Sequence, residues 1–115
     1  MSHENWQEQL RRGSLDLAIL LTTSAGPRYG LAIIQHLEVF TDLVVTEGTI
    51  YPILGRLTRE GLLDARWVED EAPHPRKYYR LTPRGVKRLS EMKDEWRAMT
   101  EKIERLIAAA EDGRS

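Results

Sequence analysis

The chain has 115 residues, 41% hydrophobic and 30% charged, with 17 Lys and Arg against 18 Asp and Glu. That length allows one small domain, or a domain with one appended helix: enough for a modest core, too little for a large enclosed active site. Cysteine is absent, which excludes a disulfide framework, a thiolate metal site and a thiol nucleophile.

The opening residues, MSHENWQEQLRRG, lack the apolar centre of a signal peptide, and no apolar run approaches the ~20 residues of a membrane helix. A cytoplasmic protein without a membrane partner is therefore expected. Residues 1–12 are read as an N-terminal segment, a short helix carrying Trp6 and Leu10. LDLAILL, Leu15 to Leu21, is nearly all apolar and stops at Ser24-Ala25-Gly26-Pro27, so it predicts a buried core helix ended by a Gly-Pro turn. RYGLAIIQHLEVF predicts a second helix, with Leu31, Ile34 and Leu37, joined by Ile33 and Phe40, at helical spacing. A short connection over 42–46 follows. The third helix places Ile50, Ile53, Leu54 and Leu57 on one face, and Gly61 supplies the left-handed residue that commonly closes a helix.

Beyond Gly61, LLDARWVED alternates with Leu63, Ala65 and Trp67 on one side, and RKYYRLT returns as a second strand. One ring of the Tyr78-Tyr79 pair must point into the core. The EDEAPHP between them makes a β-hairpin loop whose tip, Glu69, Asp70 and Glu71, is acidic and repels phosphate. Thr82-Pro83 is a helix start, with a hydroxyl to cap open N–H groups and a proline where its missing N–H costs nothing. On the last helix Leu89, Met92, Trp96, Met99, Ile103, Leu106 and Ala110 follow one another at spacings of 3, 4, 3, 4, 3 and 4. That heptad seam predicts packing along another helix, part of it from a second copy of the chain. The competing reading folds the seam back on the protein's own core.

The order, three helices, a hairpin and a long closing helix, predicts a mainly α fold with a small β-hairpin: a winged helix-turn-helix over 13–82 and a dimerisation helix over 83–112. In a helix-turn-helix the start of the second helix of the pair enters the major groove. TEGTIYP suits such a start, because Gly48, Pro52, Gly55 and Arg59 lie opposite the apolar face, with Thr49 and Arg56 on one flank and Tyr51 on the other. Charge agrees with this placement: residues 48–88 hold nine basic and five acidic side chains, whereas the remainder is net acidic.

YGLAIIQHL, EGTIYPILGRLTREGLL and PRKYYRLTPRG, spread over about residues 12 to 110, resemble the PadR-like transcriptional regulators. The middle stretch, Gly-Thr-aliphatic-Tyr-Pro leading into Leu-x-x-Leu, is the most specific. The resemblance implies a homodimeric DNA-binding repressor, and the single C-terminal helix looks like the short branch of the family. It assigns DNA contact to Thr49, Tyr51 and Arg56 on the third helix, to Arg76 and Lys77 on the wing, and to Tyr29 near the DNA backbone. Arg56 suits a guanine edge or a phosphate, or pairs with Glu60; Arg76 and Lys77 suit phosphate or an adjacent minor groove. The dimer seam comprises Leu89, Met92, Trp96, Met99, Ile103 and Leu106. Members of the short branch can bind flat aromatic or cationic compounds between subunits, which makes Trp6, Leu10 and Trp96 candidates for a ligand cleft, with interface packing the plainer reading.

The expected partners are thus a second copy, a pseudo-palindromic double-stranded DNA operator and an aromatic or cationic small-molecule effector, the repressor being released by a small-molecule or other signal. No cofactor, no metal and no catalysis are expected: His3, His36 and His74 are far apart in sequence, and no phosphate loop or serine elbow occurs. The alternative is a winged-helix protein-interaction module that does not touch DNA, which the acidic wing tip favours slightly.

Overall fold

The computed structural model describes residues 3–41, 45–69 and 73–113. The elements run α1 (His3–Ser24), β1 (Arg28–Tyr29), α2 (Gly30–Thr41), α3 (Glu47–Arg59), β2 (Leu63–Val68), β3 (Arg76–Leu81) and α4 (Pro83–Glu111). The protein is mainly helical with a small antiparallel sheet, in the winged-helix order that the sequence predicts. The expectations for 42–44 and for Asp70 and Glu71 lie outside the described residues.

The core is built where the helical periods converge. Leu15, Ile19 and Leu20 of α1, Ile33 and Leu37 of α2 and Ile50, Leu54 and Leu57 of α3 are all buried, and Leu63 and Tyr79 close it from the sheet. Tyr79 is the ring that points inward. On α2 the inner face is Gly30, Ile33 and Leu37, whereas Leu31 and Phe40, also read at helical spacing, face outward. Two stripes at helical spacing exist on this apolar helix, and packing against α1 and α3 selects one of them.

Three further features differ from the sequence reading. Residues 3–12 are not a separate helix: α1, His3–Ser24, runs unbroken through Gly13 into the core helix. One interior glycine costs a helix only about 1 kcal/mol, and its neighbours are strong helix formers braced by an Arg12–Glu8 pair at 2.7 Å. The hairpin has gained a third strand: β1 pairs antiparallel with β3, Arg28 opposite Tyr79 and Tyr29 opposite Tyr78. Tyr29 therefore sits on a strand, one residue before α2, not at the start of the helix. Lastly, Leu89 and Met92 of the heptad seam pack on the protein's own core.

The end of α3 and the start of α4 are both chemically marked. Gly61 takes φ 79°, and the amides of Gly61 and Leu62 donate to the carbonyls of Thr58 and Leu57, a Schellman closure of α3. At the start of α4 the Thr82 hydroxyl accepts from the Gly85 amide at 2.9 Å and donates to the Gly61 carbonyl at 2.6 Å. The same threonine thereby caps α4 and ties it to the end of α3. From there α4 runs for 29 residues, about 44 Å at 1.5 Å per residue, and beyond Met92 it leaves the core. It makes the molecule long, 60 × 31 × 22 Å.

Candidate nucleic-acid interface

Burial of Ile50, Leu54 and Leu57 fixes how α3 is rotated, and so turns Gly48, Pro52 and Arg59 away from the core. Pro52 lies inside the helix, so the Gly48 carbonyl one turn earlier receives no amide from it. An outward face of glycines and a proline leaves α3 nearly bare, with room for another backbone to approach closely. Arg59 stands on that face with no acidic partner among the described residues.

Beside α3 lies a groove of about 690 Å³ lined by Tyr29, Gly30, Tyr51, Gly55, Trp67, Arg76, Lys77 and Tyr79 among others. Its floor depends on Gly30: a Cβ there would fall 2.6 Å from two ring carbons of Tyr51, so only glycine lets the Tyr51 ring rest against α2. Burial, aided by the Glu47 carboxylate, raises the Tyr51 pKa above the usual phenol value. Burial likewise raises that of Tyr79, with Tyr51 adding to it. Both phenols therefore stay protonated and able to donate a hydrogen bond near neutral pH. Tyr29 meets Tyr78 edge-on with ring centroids 5.5 Å apart, and the Arg76 guanidinium lies 4.4 Å from the Tyr29 ring centre. That contact orients Arg76 without neutralising it. The Lys77 ammonium stands 5.8 Å from the Trp67 ring and 5.9 Å from the Tyr79 ring.

Four of the six residues assigned to DNA, Tyr29, Tyr51, Arg76 and Lys77, thus line one groove. The other two lie on the opposite flank of α3. Thr49 is exposed, with its hydroxyl 3.2 Å from that of Thr46, beside Arg11 and Arg12 of α1. Arg56 is held by two acids, Asp16 at 2.7 Å and Glu60 at 3.3 Å. The hydrogen bond to Asp16, followed by the pull of both carboxylates, raises its pKa still further, so it is permanently charged. For Arg56 to reach a phosphate it must leave Asp16. The pair is about two-fifths exposed and is worth no more than ~1 kcal/mol.

Asp16→Asn is accordingly expected to free Arg56 and tighten DNA binding roughly two- to fivefold, the equivalent of that pair energy. Fluorescence anisotropy with labelled duplex measures it, and an unchanged affinity would mean that Arg56 does not reach DNA.

The candidate cleft residues Trp6, Leu10 and Trp96 are all exposed, and no ring contact joins Trp6 to Trp96 among the described residues. Further along α4, Met99, Ile103 and Leu106 are exposed too. Gly30, Arg59 and Trp67 were not assigned to the interface from sequence. The helical projection already placed Arg59 outward, and Trp67 alternates with Leu63 and Ala65, but the Gly30–Tyr51 approach has no sequence signal at all. Among the described residues no helix is long and apolar enough to cross a membrane, and no cluster of three or more His, Asp or Glu could hold a metal.

Comparison with known proteins agrees with this geometry. The profile of the transcriptional regulator PadR-like family matches residues 18–91. A PadR-like transcription factor from Bacteroides fragilis is 39% identical, covering 89% of this chain and 98% of its own, with a TM-score of 0.74. A PadR family transcriptional regulator from Eggerthella lenta DSM 2243 is 31% identical, covering 90% of each chain, with a TM-score of 0.82. A protein of Lysinibacillus sphaericus described only as uncharacterized is 32% identical over 102 residues, 87% of this chain and 94% of its own. With the family profile spanning most of the chain and the solved regulators matching nearly all of it, the chain belongs to the PadR-like family of transcriptional regulators.

Proposed function

We propose that this protein is a cytoplasmic, homodimeric repressor that binds a pseudo-palindromic operator in a sequence-specific way and is released by a small-molecule signal. The observation that carries the reading is the groove beside α3. There Tyr51 and Gly55 of α3, the Tyr79 phenol of β3 and two cations with no acidic partner among the described residues, Arg76 and Lys77, line the same space. Cations and hydroxyl donors on that surface suit phosphate oxygens, and α3 supplies the element that reads base edges. Thr49 and, once released from Asp16, Arg56 extend the contact on the other flank.

The exposed apolar strip of α4 supports the dimer, since a soluble monomer gains nothing from a row of large apolar side chains in water. Two-fold symmetry then sets two α3 helices on half-sites about one helical turn, or a small multiple of it, apart. Trp96, with Trp6 and Leu10, offers flat aromatic or cationic compounds a stacking surface between subunits.

The test is anisotropy of the protein with the DNA upstream of its own gene and with a scrambled duplex, at low and near-physiological salt. Preference for the upstream fragment that survives salt is expected. Lys77→Ala should weaken both duplexes alike and lower the salt slope by about 1, the signature of one lost phosphate contact. The second reading, a protein-docking winged helix, draws on the exposed acidic Glu69 at the end of β2 and on the acids around Arg56. It is preferred if neither duplex binds at low salt.

A further inference from the structure

Trp67 is the feature that the fold does not use. It lies on the core-facing side of β2, in step with Leu63 and Ala65, but two residues beyond Ala65 the strand has left the core, and the indole is 69% exposed. Its cross-strand partner is Lys77, whose ammonium hangs over the ring. The indole, Tyr51 and Gly55 line the same groove, with Arg76 at its side. Neither Arg76 nor Lys77 has an acidic partner among the described residues, so the indole is an apolar plate with an unpaired ammonium over it and an unpaired guanidinium in the same groove.

We infer that Trp67 is a DNA-contacting residue: its ring packs on the deoxyribose of the strand that runs past α3, while Lys77, held above the ring, meets the neighbouring phosphate. The inference rests on the DNA-binding reading above and deepens it. Charge complementarity selects the occupant, because a nucleic-acid strand is a ligand that alternates flat apolar surface with negative charge at short range. A sugar contact carries no base information, so the ring anchors every duplex and leaves base choice to α3.

The test uses the full chain and three variants, with the upstream fragment and the scrambled duplex as probes. Trp67→Ala is expected to weaken both by about five- to thirtyfold, the lower part of the range for a ring stacked on a base, because a sugar offers the ring less surface. Trp67→Phe should retain part of the affinity, and Trp67→Leu little. Because the residue is exposed, thermal melting of all three should match the parent. Tryptophan emission supplies the second readout: DNA should quench the parent, and that quenching should disappear in Trp67→Phe.

Unchanged affinity of Trp67→Ala for both duplexes, or quenching that persists in Trp67→Phe, overturns the inference while leaving the regulator intact. Loss of binding to a poly-glutamate peptide with DNA binding unaltered would assign the ring to an acidic protein partner and overturn it as well. A parent that binds neither duplex at low salt removes the DNA reading itself, and this inference with it.

Discussion

Gly85→Ala is expected to destabilise the protein by about 2 to 3 kcal/mol, although alanine is the better helix former. A Cβ at Gly85 would collide with the Leu62 carbonyl oxygen and lie 3.0 Å from its carbon, and both of those atoms are backbone. They cannot swing aside as a side-chain tip could. That oxygen also accepts the Thr82 amide at 3.1 Å, so displacing it loosens the junction that ties the end of α3 to the start of α4. The propensity gain is at most ~1 kcal/mol, and the overpacking cost exceeds it. Differential scanning calorimetry should show a fall in Tm of roughly 10 °C. Gly13 of α1 is the control: nothing lies within 4 Å of its would-be Cβ, so Gly13→Ala should raise Tm slightly. Equal effects of the two substitutions would mean that the Leu62 contact is not what Gly85 provides.

Those two glycines mark the limit of what the sequence discloses. Both sit in helices, and no local signal separates them, because the difference is a backbone segment distant in the chain. Where the determinant is local, the reading is reliable. The apolar face of α3, the Gly61 stop and the Thr82-Pro83 start follow from period and side-chain chemistry, as does the need for one inward tyrosine ring on β3, whereas that it is Tyr79 is set by the strand's packing. The third strand was illegible because β1 is two residues long and is defined only by its pairing with β3. The stripe of α2 that turns inward was ambiguous for the same reason: its partner surfaces decide it. At the site, Tyr51, Arg76 and Lys77 could be named from their motif, but the Asp16–Arg56 pair joins residues 40 apart in sequence and emerges only when α1 crosses α3.

The Thr82 and Gly85 junction also bears on how a signal could travel. Thr82 caps α4 while donating to Gly61, the residue that closes α3, so the recognition helix and the long helix share one hydrogen-bonded corner. Under the proposed function, a ligand or partner that shifts α4 would act on this shared corner.

Ile103→Glu tests the other end of that lever and should have the largest functional effect. The heptad seam divides in two. Leu89 is buried in the protein's own core, whereas Trp96, Met99, Ile103 and Leu106 face water, with Ile103 47% exposed in the middle of that strip. Each such side chain contributes about 1.5 to 3 kcal/mol when fully buried, so four of them on each of two copies can hold a dimer. A carboxylate at position 103 would have to be buried without a partner, costing several kcal/mol, and a dissociation constant raised at least about a hundredfold is expected. Sedimentation velocity over a concentration series should then show the monomer where the parent is dimeric. Operator affinity should fall with it, by roughly 10² to 10⁴, because two half-sites are no longer engaged at once, while Thr49, Tyr51 and Lys77 remain untouched. Far-UV circular dichroism separates this from misfolding, since Ile103 contributes nothing to the monomer core. An unchanged sedimentation coefficient at low concentration would mean that the outer half of α4 is not the dimer interface, and the bivalent reading of the operator would go with it.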